Sequence, residues 1–302
     1  MLYPYKDLIG REMKDVPRDA LPKLLAAEDA RQYHLAVAEM VAHVGDSHAV
    51  ADSQTLKEEW GDAMPPVALR PIKGQAVIVR LTDAVAERAG ASVGDVIDLV
   101  DGQPADERFK YLSRYISASS PGALNRDANN RLPRGRQGSV AQIVVAKADG
   151  TKRQCHSERR TAFMRSSLTV AADQTVKVLA QELGYVDLRS LMPHEVDGAL
   201  ATVAHTKGLI LDMRGYPNNT RRLLEERLMN HDITDRGTIA FPVALGPGTR
   251  TETRLQVASP VHAAERRYAG RTVMLIDDRA QRQPGAHPRA AAASCPSSSR
   301  RW

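Results

Sequence analysis

Two short stretches of the chain hold residue types that can do chemistry. Asp46-Ser47-His48 sets a carboxylate, a hydroxyl and an imidazole in a row behind Gly45. A neutral imidazole titrates at about pH 6.5 and accepts a proton at neutral pH, although a polar triplet behind a helix stop is most simply a cap or a turn. The second stretch, Asp212-Met-Arg-Gly-Tyr-Pro-Asn-Asn219, follows the apolar run Leu209 to Leu211. Loops beyond the carboxyl ends of parallel strands are where α/β proteins place their ligands, so this loop is the first candidate for a site. Cys155 stands among Lys152, Arg153 and His156, cations that lower a thiol pKa; a bystander thiol on a basic strand is the plainer reading.

The elements around the second stretch form a recognisable unit. Leu183-Gly-Tyr-Val-Asp-Leu188 is a short apolar run, His194 to His205 is helical in length and pattern, and Gly208 to Asp212 is a second run. Strand, helix and strand in that order make a β-α-β unit, and with it a parallel sheet. Thr220 to Asn230 reads as a further helix, and Thr238 to Val243 and Thr272 to Ile276 as strands, the last ending at Asp277-Asp278. The alternation argues for α/β layers between residues 162 and 282. Near the N-terminus, Asp19 to Val44 is helical in pattern, with Asp29 as a cap and Tyr33, Val37, Met40, Val41 and Val44 on one buried face.

Composition narrows the function classes. The 302 residues suffice for two or three domains, and no apolar run approaches the roughly 18 residues of a membrane span. Residues 1–6, Met-Leu-Tyr-Pro-Tyr-Lys, lack the basic region and apolar core of an export signal. The net charge is +6, but the last 24 residues carry five arginines and no acid, leaving about one net positive charge elsewhere. With 4 % aromatic residues there is little to stack on bases, so no nucleic-acid partner is expected. Cys155 and Cys295 show neither metal-ligand spacing nor a disulfide framework, and neither a metal nor a cofactor is expected.

Between residues 66 and 157 the pattern turns to short strands: Ala76 to Leu81, Val96 to Val100, and a hairpin of Val140 to Lys147 with Lys152 to His156. Ala84 to Ala89 reads as a short helix, and Ser117 to Gly138, rich in Ser, Pro, Gly, Asn and Arg, as a long mobile loop. The runs Ala76-Val-Ile-Val, Ala84-Val-Ala-Glu-Arg-Ala-Gly90, Val93-Gly-Asp-Val-Ile97 and Val100-Asp-Gly-Gln-Pro104 resemble a PDZ-type domain of bacterial proteases. That resemblance implies a groove near Lys73, Gly74, Gln75, Ala76, Val77 and Ile78, in which a peptide adds as a strand. A small β-domain that only packs against its neighbour is the alternative.

Taken together, Tyr3-Pro-Tyr-Lys-Asp-Leu-Ile9, Asp46-Ser-His48, the PDZ-like runs, Leu183-Gly-Tyr-Val, Gly208-Leu-Ile-Leu-Asp-Met-Arg-Gly215 and Tyr268-Ala-Gly-Arg-Thr-Val-Met-Leu-Ile276 resemble the C-terminal processing, or tail-specific, serine protease family, especially its tricorn-like branch. The resemblance implies a helical N-terminal region (1–62), a PDZ-like domain (66–157) and an α/β catalytic core with ClpP/crotonase-like layers (162–282). It implies hydrolysis of peptide or protein C-terminal segments through an acyl-enzyme, with His48 as general base and Gly215 in the oxyanion hole. Where family members often have consecutive glycines this chain has Asn218-Asn219, residues that tolerate left-handed backbone angles. Relatives of this family are usually exported, and neither localisation nor oligomeric state follows from the residues.

The expected nucleophile is missing. Alignment from Leu275 to Gln281 puts Arg282 at the family's serine and Gly285 at its glutamate, and no Ser or Thr lies between Thr272 and Ser294. A guanidinium cannot attack a carbonyl. Residues 283–302 are biased to Ala, Arg, Pro and Ser without periodicity, which implies a shifted reading frame near codon 282 or else a natural low-complexity tail; Ser297 to Ser299 would replace the nucleophile only by coincidence. The expectation is an inactive peptidase with an incomplete core that is weak in its last third, or a non-catalytic peptide-binding protein, with Cys155 chemistry as a third possibility.

Overall fold

A computed structural model describes residues 15–81, 90–166, 174–215, 217–234, 238–244, 251–257 and 260–277. The chain divides into two compact units, residues 3–170 and 171–302, each with its own core. Among the described residues no helix is long and apolar enough to cross a membrane. The expected helix at 84–89 and the position of Arg282 fall outside the described residues.

The first unit opens with α1 (Asp15–Leu25), α2 (Ala30–Ala42) and α3 (Gln54–Trp60). Asp29 caps α2 as expected, its carboxylate accepting the Gln32 N–H at 2.7 Å, and Ser53 caps α3 through the Leu56 N–H at 3.2 Å. The buried stripe of α2 differs from expectation. Leu35, Ala36 and Ala38 are buried, Val37, Met40 and Val41 are half-buried, and Tyr33 is exposed. Small residues let α2 approach its neighbours closely, and the phenol is left at the rim.

Six strands follow, β1 (Val67–Ile72), β2 (Gln75–Leu81), β3 (Val96–Val100), β4 (Gln103–Pro104), β5 (Val140–Ala146) and β6 (Lys152–Glu158), in the antiparallel order β1-β2-β3-β5-β6 with β4 beside β3. Between β4 and β5 lie α4 (Ala105–Ser113) and α5 (Pro121–Arg131), and α6 (Thr161–Ser166) follows β6. Helix α5 corrects the expected loop. Ser120 accepts the Ala123 N–H at 3.2 Å and Pro121 occupies the first turn, a start signal that outweighs the Asn-rich composition behind it. One face of α5 then buries Ala123, Ala128 and Asn129. Leu35, Leu56 and Trp60 of the helices share one apolar cluster with Ile78, Val100, Ile143 and Val145 of the sheet.

In the second unit β7 (Val176–Leu179), β8 (Leu183–Asp187), β9 (Gly208–Asp212) and β12 (Arg271–Leu275) form a sheet in the order β12-β9-β8-β7. Strands β8, β9 and β12 are parallel, and α7 (Val196–Val203), entered through a 3-10 turn at Pro193–Glu195, connects β8 to β9 as the sequence pattern requires. Helix α8 (Arg221–Leu228) follows β9, and β10 (Thr238–Ala244) and β11 (Thr251–Val257) form a separate antiparallel pair. Val186, Leu188, Leu209, Leu211 and Met213 are buried with Val196, Val203 and Leu224 from the helices.

Candidate functional site

His48 lies on the turn that ends the α2 segment, where Gly45 takes a φ of +66°. The Asp46 carboxylate accepts the His48 backbone N–H at 2.9 Å, an Asx turn, and the same oxygen lies 3.1 Å from the ring Nδ1. One carboxylate thus makes the turn and orients the imidazole. The His48 backbone N–H and then its ring hold the Asp46 carboxyl below the usual carboxylate range, against the effect of burial. The turn is fastened from outside: Asp46 donates its N–H to Ser117 Oγ at 3.0 Å, and Ser119 donates its N–H to Ser47 Oγ at 3.2 Å. Ser117 is buried, and with Ser119 it belongs to the stretch expected to be mobile.

Lys73 and Gly74 form the two-residue turn between β1 and β2, with φ of +51° and +79° as a type I′ hairpin requires. Gln75 to Ile78 are on β2, paired with β1 along one edge; Val77 also pairs with Val96 of β3. On the other side of that pair Ile78 exchanges backbone hydrogen bonds of 2.8 Å with Asp95 O and Gly94 N–H, whereas on the Gln75 side β2 and β3 make no further ladder pair. Gln75 and Ala76 on one side and Ile97 and Asp98 on the other line a groove of about 630 Å³, with Phe109 of α4 also in its wall. Cys155 is buried inside the same unit's core, and burial pushes its thiol pKa up against the lowering effect of Lys147 and Arg153, in keeping with a bystander thiol.

Gly215 follows β9 in the second unit. Strands β8 and β9 end in the same three-residue device, Asp187-Leu-Arg189 and Asp212-Met-Arg214, with Asp187 opposite Asp212. Each carboxylate is fully buried, accepts the N–H of its own arginine at 3.0 Å, and receives that arginine's guanidinium in a two-bond fork. Tyr185 donates its hydroxyl to Asp212 at 2.6 Å. Burial raises the Asp212 pKa, but the Arg214 fork and the Tyr185 hydroxyl outweigh it and hold the carboxyl well below the usual range. Burial, then that bond, pushes Tyr185 up to about 12.

The Arg189 stem covers Gly215 so closely that a Cβ there would stand 2.4 Å from Arg189 Cδ. Asn218 donates its side-chain amide to Arg189 O at 2.6 Å, and Asn219 takes the left-handed φ of +58°. Sequence reasoning missed the part played by Asp187, Arg189 and Tyr185. The repeated Asp-x-Arg at two strand ends was the available signal. His48 and Gly215 lie in different units.

No protein-family model matches the chain, and no curated protein matches it. Solved structures do. An alanine variant of CPAF, a chlamydial serine protease, superposes with a TM-score of 0.67 at 12 % identity, covering 96 % of this chain and 78 % of that one. The chain is similar in fold to CPAF. Mature CPAF gives a TM-score of 0.66 at 11 % identity (96 % and 77 % covered), and CPAF complexed with lactacystin 0.61 at 13 % (91 % and 75 %). At such identities the likeness is one of fold, a mixed α/β architecture.

Proposed function

We propose that this chain is a serine peptidase of the C-terminal processing family that keeps the base and oxyanion elements of its site and, as written, does not hydrolyse peptide bonds. The observation that carries the reading is the Asp46–His48 pair, 3.1 Å between Oδ1 and Nδ1, on a chain with the fold of a serine protease. With Nδ1–H on Asp46, the neutral ring carries its lone pair on Nε2, the tautomer that accepts a proton from a serine hydroxyl. In this reading Gly215 supplies a backbone N–H to the oxyanion, and Arg282 stands where the nucleophile belongs. The division into a helical region (1–62), a PDZ-like domain (66–157), a ClpP/crotonase-like core (162–282) and a tail (283–302) belongs to the same proposal.

A serine-directed fluorophosphonate probe and quenched peptides with free carboxyl termini test it. The expected result is neither labelling nor turnover. Labelling that His48→Ala abolishes would overturn the inactivity alone, whereas turnover indifferent to His48→Ala would overturn the assignment of the base.

The groove beside Gln75 and Ala76 favours a second reading, binding of peptide or protein C-terminal segments without turnover. Fluorescence polarisation with labelled peptides decides it. Binding weakened at least about tenfold by Ala76→Trp supports the groove, and binding unchanged by that substitution removes it.

A further inference from the structure

The groove beside Gln75 and Ala76 has walls that are mostly apolar, among them Ala76 of β2, Ile97 of β3, Phe109 of α4 and Leu132 just past α5. Each charged side chain of its lining already has a partner of opposite sign. Lys152 donates to Asp98 at 2.7 Å and Lys110 to Asp106 at 3.1 Å. Lys147 donates to Asp95 at 2.7 Å, to Gly90 O at 2.8 Å and to Ser92 Oγ at 3.2 Å, which uses its three N–H groups. These pairs favour an uncharged ligand group over a charged one.

Asn129 of α5 also lines the groove, and only 3 % of it is exposed. Its Nδ2 donates to Asn125 O, one helical turn back, at 2.7 Å, which fixes the orientation of the amide. The carbonyl Oδ1 at the other end accepts no hydrogen bond among the described residues. Water can serve that oxygen while the groove is open to solvent. A purely apolar group that fills the groove displaces the water and leaves a buried acceptor unpaired, which weakens binding. A group that carries an N–H or O–H takes the place of the water and avoids that loss.

We propose that Asn129 selects the ligand of this groove: an uncharged side chain with an apolar body and a terminal hydrogen-bond donor, tyrosine being the clearest case, on a peptide extended beside β2. The proposal rests on the second reading above, in which the groove takes peptide C-terminal segments, and adds a residue that discriminates among them. The ladder between β2 and β3 has its one pair at Val77 and Val96, and the opening on the Gln75 side gives a peptide a strand to run along. A phenol ring has apolar surface to meet in Phe109 and Leu132, and its hydroxyl has the Asn129 carbonyl. Phenylalanine has the same ring but nothing to give that carbonyl. A site with a buried polar group discriminates strongly against an analogue that lacks the matching one.

Labelled alanine-based hexapeptides with free carboxyl termini test it, in pairs that differ only in tyrosine or phenylalanine at one of the last four positions. Each is titrated into the full-length chain and followed by fluorescence polarisation. At one position or more the tyrosine peptide is expected to bind at least about fivefold more tightly than its phenylalanine partner. Asn129→Leu, close in volume and without the carbonyl, should erase that difference by weakening the tyrosine peptide alone. Asn129→Ala, which suits a helix, makes the same comparison if Asn129→Leu fails to fold. Saturable binding that Ala76→Trp weakens but that never distinguishes tyrosine from phenylalanine overturns the role of Asn129 and leaves the peptide groove in place. A preference that survives both Asn129 variants does the same. Absence of saturable binding by every peptide overturns the second reading, and selection by Asn129 with it.

Discussion

Asp212 shows how one residue ties strand, loop and charge together. It is fully buried at the end of β9, and it is bonded by the Arg214 fork and by Tyr185. Removing one partner of a buried ion pair costs about 3–5 kcal/mol, but the Arg214 side chain is 43 % exposed and partly screened. Asp212→Asn should therefore cost about 2 kcal/mol in a urea melt and Tyr185→Phe about 1 kcal/mol, because the phenol ring still packs. The two titrations have opposite signs. The depressed Asp212 carboxyl contributes stability that is present above the unfolded value of about 3.9 and is lost as pH falls through its lower folded pKa. The raised Tyr185 hydroxyl contributes stability that is present below about 10 and is lost as pH rises through about 12. An acid limb in the stability profile that is the same in wild type and Asp212→Asn would refute the first half. At the other candidate residue, nitrogen NMR of His48 should report the proton on Nδ1, facing Asp46; a proton on Nε2 would contradict the role of general base.

At the scale of elements, legibility followed the strength of the local pattern. The unit of β8, α7 and β9 was readable because apolar runs, a helix-length amphipathic segment and a closing turn all agree. Helix α5 was not, since its Asn, Asp and Arg residues read as loop. The Ser120-Pro121 start was the one clue. Strand β1 was missed because Pro71 interrupts it, a residue that an edge strand tolerates. The site divides in the same way. The Asp46–His48 turn is local and could be seen in the sequence, whereas the pairing of two Asp-x-Arg ends requires the register of β8 against β9. If Ser120 is the start signal of α5, Ser120→Ala should cost about 1 kcal/mol and leave the fold intact. A larger effect is expected where backbones touch. Gly61 has a φ of +83°, and a Cβ there would stand 2.3 Å from Gly135 N, so Gly61→Ala should cost about 3 kcal/mol or more. A loss below about 1 kcal/mol would show that this crossing of α3 and the segment before β5 yields easily.

The whole molecule has two cores that share no member. One is built on Ile78, Val100 and Val145 with the N-terminal helices, the other on Val186, Leu211 and Met213 with α7 and α8. Two separate cores need not melt together. Among the described residues β12 is an edge strand of the second unit's sheet, with Val273 in it 59 % and Ile276 just beyond it 56 % exposed, apolar side chains that add little to the core. Calorimetry of the full chain should accordingly show two transitions, the second unit melting first. Substitutions assign them. Leu211 is 2 % exposed, and Leu211→Ala should cost about 3 kcal/mol, enough to lower the earlier transition by about 10 °C and leave the later one in place. Val100→Ala, at a fully buried position of the other core, should move only the later transition. The same assignment can be read by hydrogen exchange, in which amides of β9 should lose protection in Leu211→Ala while those of β5 keep it. A single transition lowered equally by both substitutions would mean that the units stabilise each other strongly enough to unfold as one, and the second core could not then be the weaker part.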